Sequence, residues 1–122
     1  MILVVDNDAS DRETIGKALE HLGFTVASCP SGDAAMRVVE AHGADLAGLV
    51  TTIALPGLAN GWDVAGAFRA RNPHGPIVYV FQEIFDEPCL TRTNLGVRKP
   101  YNAAHLAQSV KQLHLRAGEL SA

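Results

Sequence analysis

The chain has 122 residues, a net charge of −3 and two widely separated cysteines. This length fits a single domain, 1–122, that can bury its own core without disulfides or a structural metal. Acidic and basic residues are interspersed, so the sequence lacks the basic stretch that binding to nucleic acid or to an anionic membrane needs. It also lacks a membrane-spanning run and a signal-peptide pattern. We therefore expect a cytoplasmic protein with reduced thiols that binds neither nucleic acid nor membrane.

Apolar periodicity and turn residues predict strands and helices in alternation. Continuous β-branched runs such as Ile2–Val5 are typical of strands that are buried on both faces of a sheet. Capping residues mark the helix starts, among them Ser10 with Glu13 as a capping box, and Gly23 and Gly43 mark helix ends. In chain order, the predicted elements are a strand at 2–5, a helix from 10 to 22, a strand at 24–27, a helix from 31 to 42, a strand at 46–51, a loop from 52 to 61, a helix ending by 72, a strand at 77–81, a short helix capped by Asp86, a strand at 95–99 and a helix from 102.

This alternation predicts an α/β fold, in which a five-stranded parallel sheet is covered by helices on both faces as a three-layer sandwich. The last residues, 116–122, are expected to fray. In open α/β sheets, ligands bind at the carboxyl ends of the strands. Three predicted strands carry polar residues there: 6–8 follow the first strand, Thr52 follows the third and Lys99 ends the fifth.

These motifs resemble the response regulator receiver domain of two-component signalling. The resemblance covers nearly the whole chain and rests on 2–6 at the start, on 53–57 with Asn60-Gly61 in the middle, and on Lys99-Pro100-Tyr101 near the end. It implies a flavodoxin-like fold with strand order 2-1-3-4-5. It also implies a bacterial-type phosphorelay signalling module rather than an enzyme.

The resemblance also assigns roles to the strand ends. In receivers, two acids after the first strand bind magnesium, an Asp ending the third strand accepts a phosphoryl group, a Ser or Thr ending the fourth senses it, and a Lys ending the fifth contacts it. Here Asp6 and Lys99 match the first acid and the lysine. At the second acid, the acceptor and the switch, this sequence has Asn7, Thr52 and Phe81.

Those replacements decide what chemistry we expect. A threonine hydroxyl is a far weaker nucleophile than a carboxylate and needs an adjacent general base. Magnesium prefers one or two carboxylates among its ligands, so we expect no cofactor, with Mg²⁺ bound weakly through Asp6 at most. Thr52 is then interpreted as a hydrogen-bonding strand terminus, and Phe81 as a ring that fills the pocket. For Lys99 the sequence offers two partners, a structural ion pair with Asp6 or a loop contact with Glu83.

Three functions stay open. The first is a degenerate receiver that binds protein partners without aspartyl phosphorylation; these would be a histidine kinase, a downstream effector or a second copy. The second is a receiver that a histidine kinase phosphorylates through unusual chemistry, and the third is a small flavodoxin-like enzyme or ligand-binding protein. The resemblance implies an output face on the fourth helix, the fifth strand and the last helix, which includes Leu90, Gly96, Arg98 and Tyr101.

Overall fold

The computed structural model describes residues 1–82 and 93–121, with side chains described as far as Gly118. Strands and helices alternate within 1–82, where a 3-10 turn at Gly43–Asp45 leads into the third strand, and one strand and one helix follow within 93–121. In chain order, the elements are β1 (Ile2–Val5), α1 (Ala9–His21), β2 (Val26–Cys29), α2 (Gly32–His42), β3 (Gly48–Thr52), α3 (Gly61–Arg71), β4 (Ile77–Phe81), β5 (Asn94–Arg98) and α4 (Ala103–Ser121).

The five strands form one parallel sheet in the order β2-β1-β3-β4-β5. This order and the helices on both faces confirm the predicted flavodoxin-like α/β fold. The register pairs Val5 of β1 with Thr51 of β3, and Phe81 of β4 with Arg98 of β5. Because all strands run in the same direction, their carboxyl ends meet at one edge of the sheet.

Two apolar clusters cover the two faces of the sheet. Alternate residues of a strand point to opposite faces, so Leu3 and Val5 join the cluster under α2 and α3, whereas Ile2 and Val4 join the cluster under α1 and α4. All four are essentially inaccessible to solvent. The continuous apolar sequence of β1 is thereby explained, since neither of its faces meets water. No helix among 1–82 and 93–121 combines the length and the apolar character that crossing a bilayer requires.

The start of α1 differs from the sequence prediction. Its N-cap is Asp8, whose Oδ1 accepts a hydrogen bond from the N–H of Asp11 at 3.0 Å. The predicted capping box is wrong, because Ser10 lies inside the helix and the side chain of Glu13 pairs with Lys17 one turn later. Asp and Ser cap helices about equally well, so the residue closer to the end of β1 takes the position.

Other boundaries follow the sequence more closely. β4 occupies the predicted residues, and α2 begins after Ser31, whose Oγ accepts from the N–H of Ala34 at 3.1 Å. β2 lies two residues later than predicted because its pairing with β1, and not its own alternation, sets its position. Asn102 caps α4 as predicted, its Oδ1 accepting from the N–H of His105 at 3.1 Å. The helix continues to Ser121, and the fraying from 116 onward stays a prediction.

Candidate functional site

Four strand ends form a polar site at the carboxyl edge of the sheet. Asp6 follows β1, Thr52 ends β3, Phe81 ends β4 and Lys99 follows β5. Asp6 is fully buried, and Thr52 is 7% exposed. A cavity of about 280 Å³ opens beside them, lined by Asn7, Asp8, Thr52, Ala54, Val80, Phe81, Gln82 and Lys99.

Asp6 is the centre of this site. Its Oδ2 accepts a hydrogen bond from Thr52 Oγ1 at 2.8 Å and lies 3.5 Å from Lys99 Nζ. Its Oδ1 accepts from the N–H of Asp8 at 2.9 Å, and its carbonyl oxygen accepts from Arg12 Nη1 at 2.7 Å. A buried carboxylate is tolerated only when it is paired and hydrogen-bonded in this way. The chain therefore satisfies the charge of Asp6 with its own groups.

Lys99 has a second partner that the sequence analysis missed. Its Nζ donates a hydrogen bond to Asp11 Oδ2 at 3.2 Å, closer than its approach to Asp6. Asp11 lies in the first turn of α1, where a carboxylate also meets the positive end of the helix dipole. Helical side chains lean toward the N-terminus, so an acid in that turn faces the strand ends. The position of Asp11 in the first turn of a helix that follows β1 is the sequence signal that could have identified it as a partner of Lys99. Glu83, the predicted loop partner, lies outside the described residues.

Phe81 is buried but leaves space beside it. Its ring packs in the cluster on the α2 and α3 face, together with Ile77 and Tyr79 from the same strand. The side chain forms one wall of the cavity and does not fill it completely. Phe81 thus anchors the end of β4 to the core, while its strand neighbour Val80 lines the same cavity from the other face.

The loop after β3 is held by a contact that the sequence did not indicate. Asp33, at the start of α2, accepts hydrogen bonds from the N–H groups of Leu58 at 3.3 Å and Ala59 at 3.0 Å. A Cβ atom on Gly61 would lie 2.3 Å from the carbonyl oxygen of Thr52, so only glycine lets the chain return this closely to β3. The end of β3 and the start of α3 are therefore fixed relative to each other.

A second cavity, of about 630 Å³, lies on the β5 side of Lys99. Its lining residues are Asp11, Thr14, Gln82, Lys99, Pro100, Tyr101 and Ala103. The hydroxyl of Tyr101 is buried and has no hydrogen-bond partner among the residues described. Burial raises the pKa of Tyr101, and the nearby carboxylates of Asp11, Asp6 and Asp8 raise it further. This hydroxyl is therefore an uncharged hydrogen-bond donor that lies near three carboxylates.

The remaining predicted residues lie along the edge of the sheet. Gly96 and Arg98 belong to β5, where Gly96 is half-buried and Arg98 is exposed. Tyr101 packs against the cluster on the α1 and α4 face. Leu90, which the sequence analysis places on the same output face, lies outside the described residues.

The model of the family described as the response regulator receiver domain matches residues 2–111. This chain belongs to the response regulator receiver family. Receivers are signal-transduction modules of two-component systems, so the chain is a receiver-type signalling module. A comparison with curated protein sequences finds no match.

Solved receiver structures have the same fold. A response regulator receiver protein from Sinorhizobium medicae WSM419 is 28% identical, with a TM-score of 0.85 over 95% of this chain and 94% of that one. A response regulator receiver domain protein from Clostridium thermocellum is 21% identical, with a TM-score of 0.80 over 98% of this chain and 97% of that one. The receiver domain of the hybrid histidine kinase CckA is 20% identical, with a TM-score of 0.76 over 93% and 97%.

Receivers use a magnesium ion, and whether it fits here depends on the oxygen atoms that this site leaves free. Asp6 Oδ2 already accepts from Thr52 and faces the ammonium of Lys99 at 3.5 Å, while Asp8 caps α1. Within the described part of the chain, no three His, Cys, Asp or Glu side chains are grouped to hold a metal. Magnesium needs several free hard oxygen ligands in octahedral geometry. The oxygen atoms of this site do not fit magnesium. The weak Mg²⁺ affinity expected from the sequence stays a prediction.

Proposed function

We propose that this receiver transmits signals without aspartyl phosphorylation, through protein contacts that are the same with and without a phosphodonor. The observation that carries the proposal is the hydrogen bond from Thr52 Oγ1 to Asp6 Oδ2 at the end of β3. A hydroxyl in this position stabilises the strand end but supplies no carboxylate nucleophile. The site is then a structural junction between β1, β3 and β5.

The position of Lys99 supports the same conclusion. Phosphoryl transfer needs positive charge that can neutralise the phosphoryl oxygens. Here the ammonium lies between the carboxylates of Asp6 and Asp11, at 3.5 Å and 3.2 Å, so two acidic groups face one basic group. An oxyanion that approaches this group meets little free positive charge. We therefore expect phosphate to bind poorly at this site.

The proposed partner is a signalling protein, either a histidine kinase or a downstream effector, or a second copy of the chain, in the cytoplasm. The proposed contact face includes Gly96, Arg98 and Tyr101, and by sequence Leu90. Exposed arginine and partly buried tyrosine are side chains that interfaces use as anchors. A conformational equilibrium shifts only when a ligand or modification favours one of the two states. A site that cannot be phosphorylated therefore leaves this face in a single conformation.

The proposal is tested by intact-mass spectrometry after incubation with acetyl phosphate and Mg²⁺. We expect an unchanged mass, and sedimentation velocity should give the same association state with and without these additions. Any self-association should be weakened by Arg98→Ala or Tyr101→Ala. A stoichiometric adduct that hydroxylamine removes would identify an acyl phosphate and would contradict the proposal.

A second candidate function is phosphorylation of Thr52 itself. Asp6 Oδ2 lies 2.8 Å from the hydroxyl, which is the position that a general base would need. The same oxygen faces Lys99, however, and the hydroxyl is buried, so we favour the structural role. An adduct that hydroxylamine does not remove and that Thr52→Val abolishes would support this alternative. The third alternative, an enzyme or ligand-binding protein, has no specific observation in its favour.

A further inference from the structure

The loop after β3 presents an uncharged, apolar segment to solvent. Residues 54–58, which we call the docking loop, have the sequence Ala-Leu-Pro-Gly-Leu. Leu58 is 97% exposed, more than any other large apolar side chain in the described part of the chain. Ala54 and Pro56 are also exposed, whereas Leu55 packs partly against the core. A single exposed leucine is ordinary in a folded protein, and what distinguishes Leu58 is the support of its backbone and the charge beside it.

The backbone of the docking loop is rigidly supported. Asp33 accepts hydrogen bonds from the N–H groups of Leu58 and Ala59. A Cβ atom on Gly32 would lie 2.1 Å from the carbonyl oxygen of Ala59, so α2 packs directly on the backbone that follows the loop. Gly57 has φ +94°, a value that side chains disfavour and that turns the chain before Leu58. The backbone that carries Leu58 is therefore held in place before binding, which lowers the entropic cost of association.

Three carboxylates lie on the same side of the sheet as the loop, one after each of the strands β1, β2 and β3. They belong to Asp8, Asp33 and Asp63, and the hydrogen bonds they accept come from backbone N–H groups. Among the described residues, the ion pairs join Lys17 to Glu13 and Lys99 to Asp6 and Asp11, so none involves these three. Each carboxylate lies at the start of a helix, and together they place negative charge beside the exposed leucine; we call these three the acidic rim.

Two cations at this edge of the sheet are engaged elsewhere, whereas Arg37 on α2 lies close enough to Cys29 to act on its thiol. Lys99 is held by Asp6 and Asp11, and Arg12 donates to the carbonyl oxygen of Asp6. The negative potential around the docking loop is thus not neutralised by these neighbours. A second copy of the chain, with net charge −3 and the same acidic rim, would meet like charge at this surface. An acidic partner would meet the same repulsion.

We propose that the docking loop binds a basic, amphipathic segment of a partner protein. Apolar side chains of that segment would cover Leu58, and lysine or arginine side chains would face Asp8, Asp33 and Asp63. An amphipathic helix that places leucines on one face and basic residues beside them has this chemistry. This surface is separate from the proposed face on β5 and α4, so it adds a second partner site.

The test uses the full chain labelled with ¹⁵N and a synthetic amphipathic helical peptide of leucine and lysine. The control peptide has glutamate in place of every lysine. We expect the lysine peptide to bind saturably, shifting the amide signals of Leu58, Ala59 and Asp63, and to bind more weakly as salt rises. The glutamate peptide should leave these signals unchanged. The phosphodonor experiment reads a different quantity, so the two proposals can fail independently.

Matched variants identify the surface. Leu58→Ser should weaken binding of the lysine peptide roughly tenfold, whereas Leu115→Ser, at an exposed leucine on α4, should not. Asp8→Asn keeps the cap of α1, because Asn and Asp cap equally well, but removes one rim charge and should also weaken binding. Absence of saturable binding, equal effects of the two leucine variants, equal binding of the glutamate peptide, or shifts confined to Gly96 and Tyr101 would overturn the proposal.

Discussion

Two adjacent threonines at the end of β3 allow the hydrogen bond to Asp6 to be measured through protein stability. Thr52 Oγ1 donates to the carboxylate of Asp6 at 2.8 Å, and Thr51 Oγ1 donates to the carbonyl oxygen of Thr52 at 3.0 Å. Both side chains are buried. Substitution by valine keeps the β-branched shape that suits a strand and removes the hydroxyl. The two variants therefore differ mainly in the acceptor that loses its donor.

The expected magnitudes follow from the acceptors. A hydrogen bond to a charged group contributes about 1.5–3 kcal/mol to stability, and a neutral one about 0.5–1.5 kcal/mol. Thr52→Val leaves the buried carboxylate of Asp6 with one donor fewer, so we expect the larger loss there. Thr51→Val should show the smaller loss. The difference between the two should be about 1 kcal/mol or more.

Urea unfolding followed by far-ultraviolet circular dichroism measures both losses. With an m-value of about 2 kcal/mol/M, Thr52→Val should lower the midpoint by about 0.8–1.5 M, and Thr51→Val by about 0.3–0.8 M. Unchanged m-values would show that the unfolded state is the same in both variants. Equal shifts, or a smaller shift for Thr52→Val, would refute the role of the Thr52 hydroxyl as a donor to a buried carboxylate.

Three further predictions address the site and its surroundings. Phe81→Ala should lower the free energy of unfolding, measured in urea, by about 3–5 kcal/mol because the ring is buried. The control Leu58→Ala should change it by less than about 0.5 kcal/mol because that side chain is exposed. A loss below about 1 kcal/mol for Phe81→Ala would show that the ring is not packed. Burial raises the pKa of Tyr79 and of Tyr101, the two tyrosines of the chain, so the folded protein should show little phenolate absorbance near pH 10. Since the unfolded chain ionises first, the stability that these groups contribute is complete below about pH 10 and is lost as pH rises through the folded pKa values; normal titration of the folded chain would contradict this. Thr52→Asp should not give rapid phosphorylation by acetyl phosphate, because the second metal-binding position stays neutral and Phe81 still walls the cavity; rapid formation of an adduct, measured by intact mass, would show that our account of the site is wrong.

Local patterns in the sequence determined most of the fold. The continuous apolar runs of β1 and β4 identify strands buried on both faces, and β4 lies at the predicted residues. Ser31 and Asn102 cap the helices that follow them. Such signals are readable because burial and capping depend on neighbours within a few residues. The resemblance to receivers assigned Thr52 to the acceptor position, although the predicted strand ended one residue earlier than β3 does.

The tertiary structure decided which groups pair with one another. Lys99 pairs with Asp11, 88 positions away along the chain, and Asp33 holds the loop at Leu58, 25 positions away. Thirteen acidic residues were available as partners, and the sequence analysis favoured Asp6 or Glu83 for the lysine. Charge pairing depends on distances of a few ångströms between side chains, and those distances exist only after the helices pack on the sheet. Periodicity locates the elements, but it contains no information on which of their polar side chains will meet.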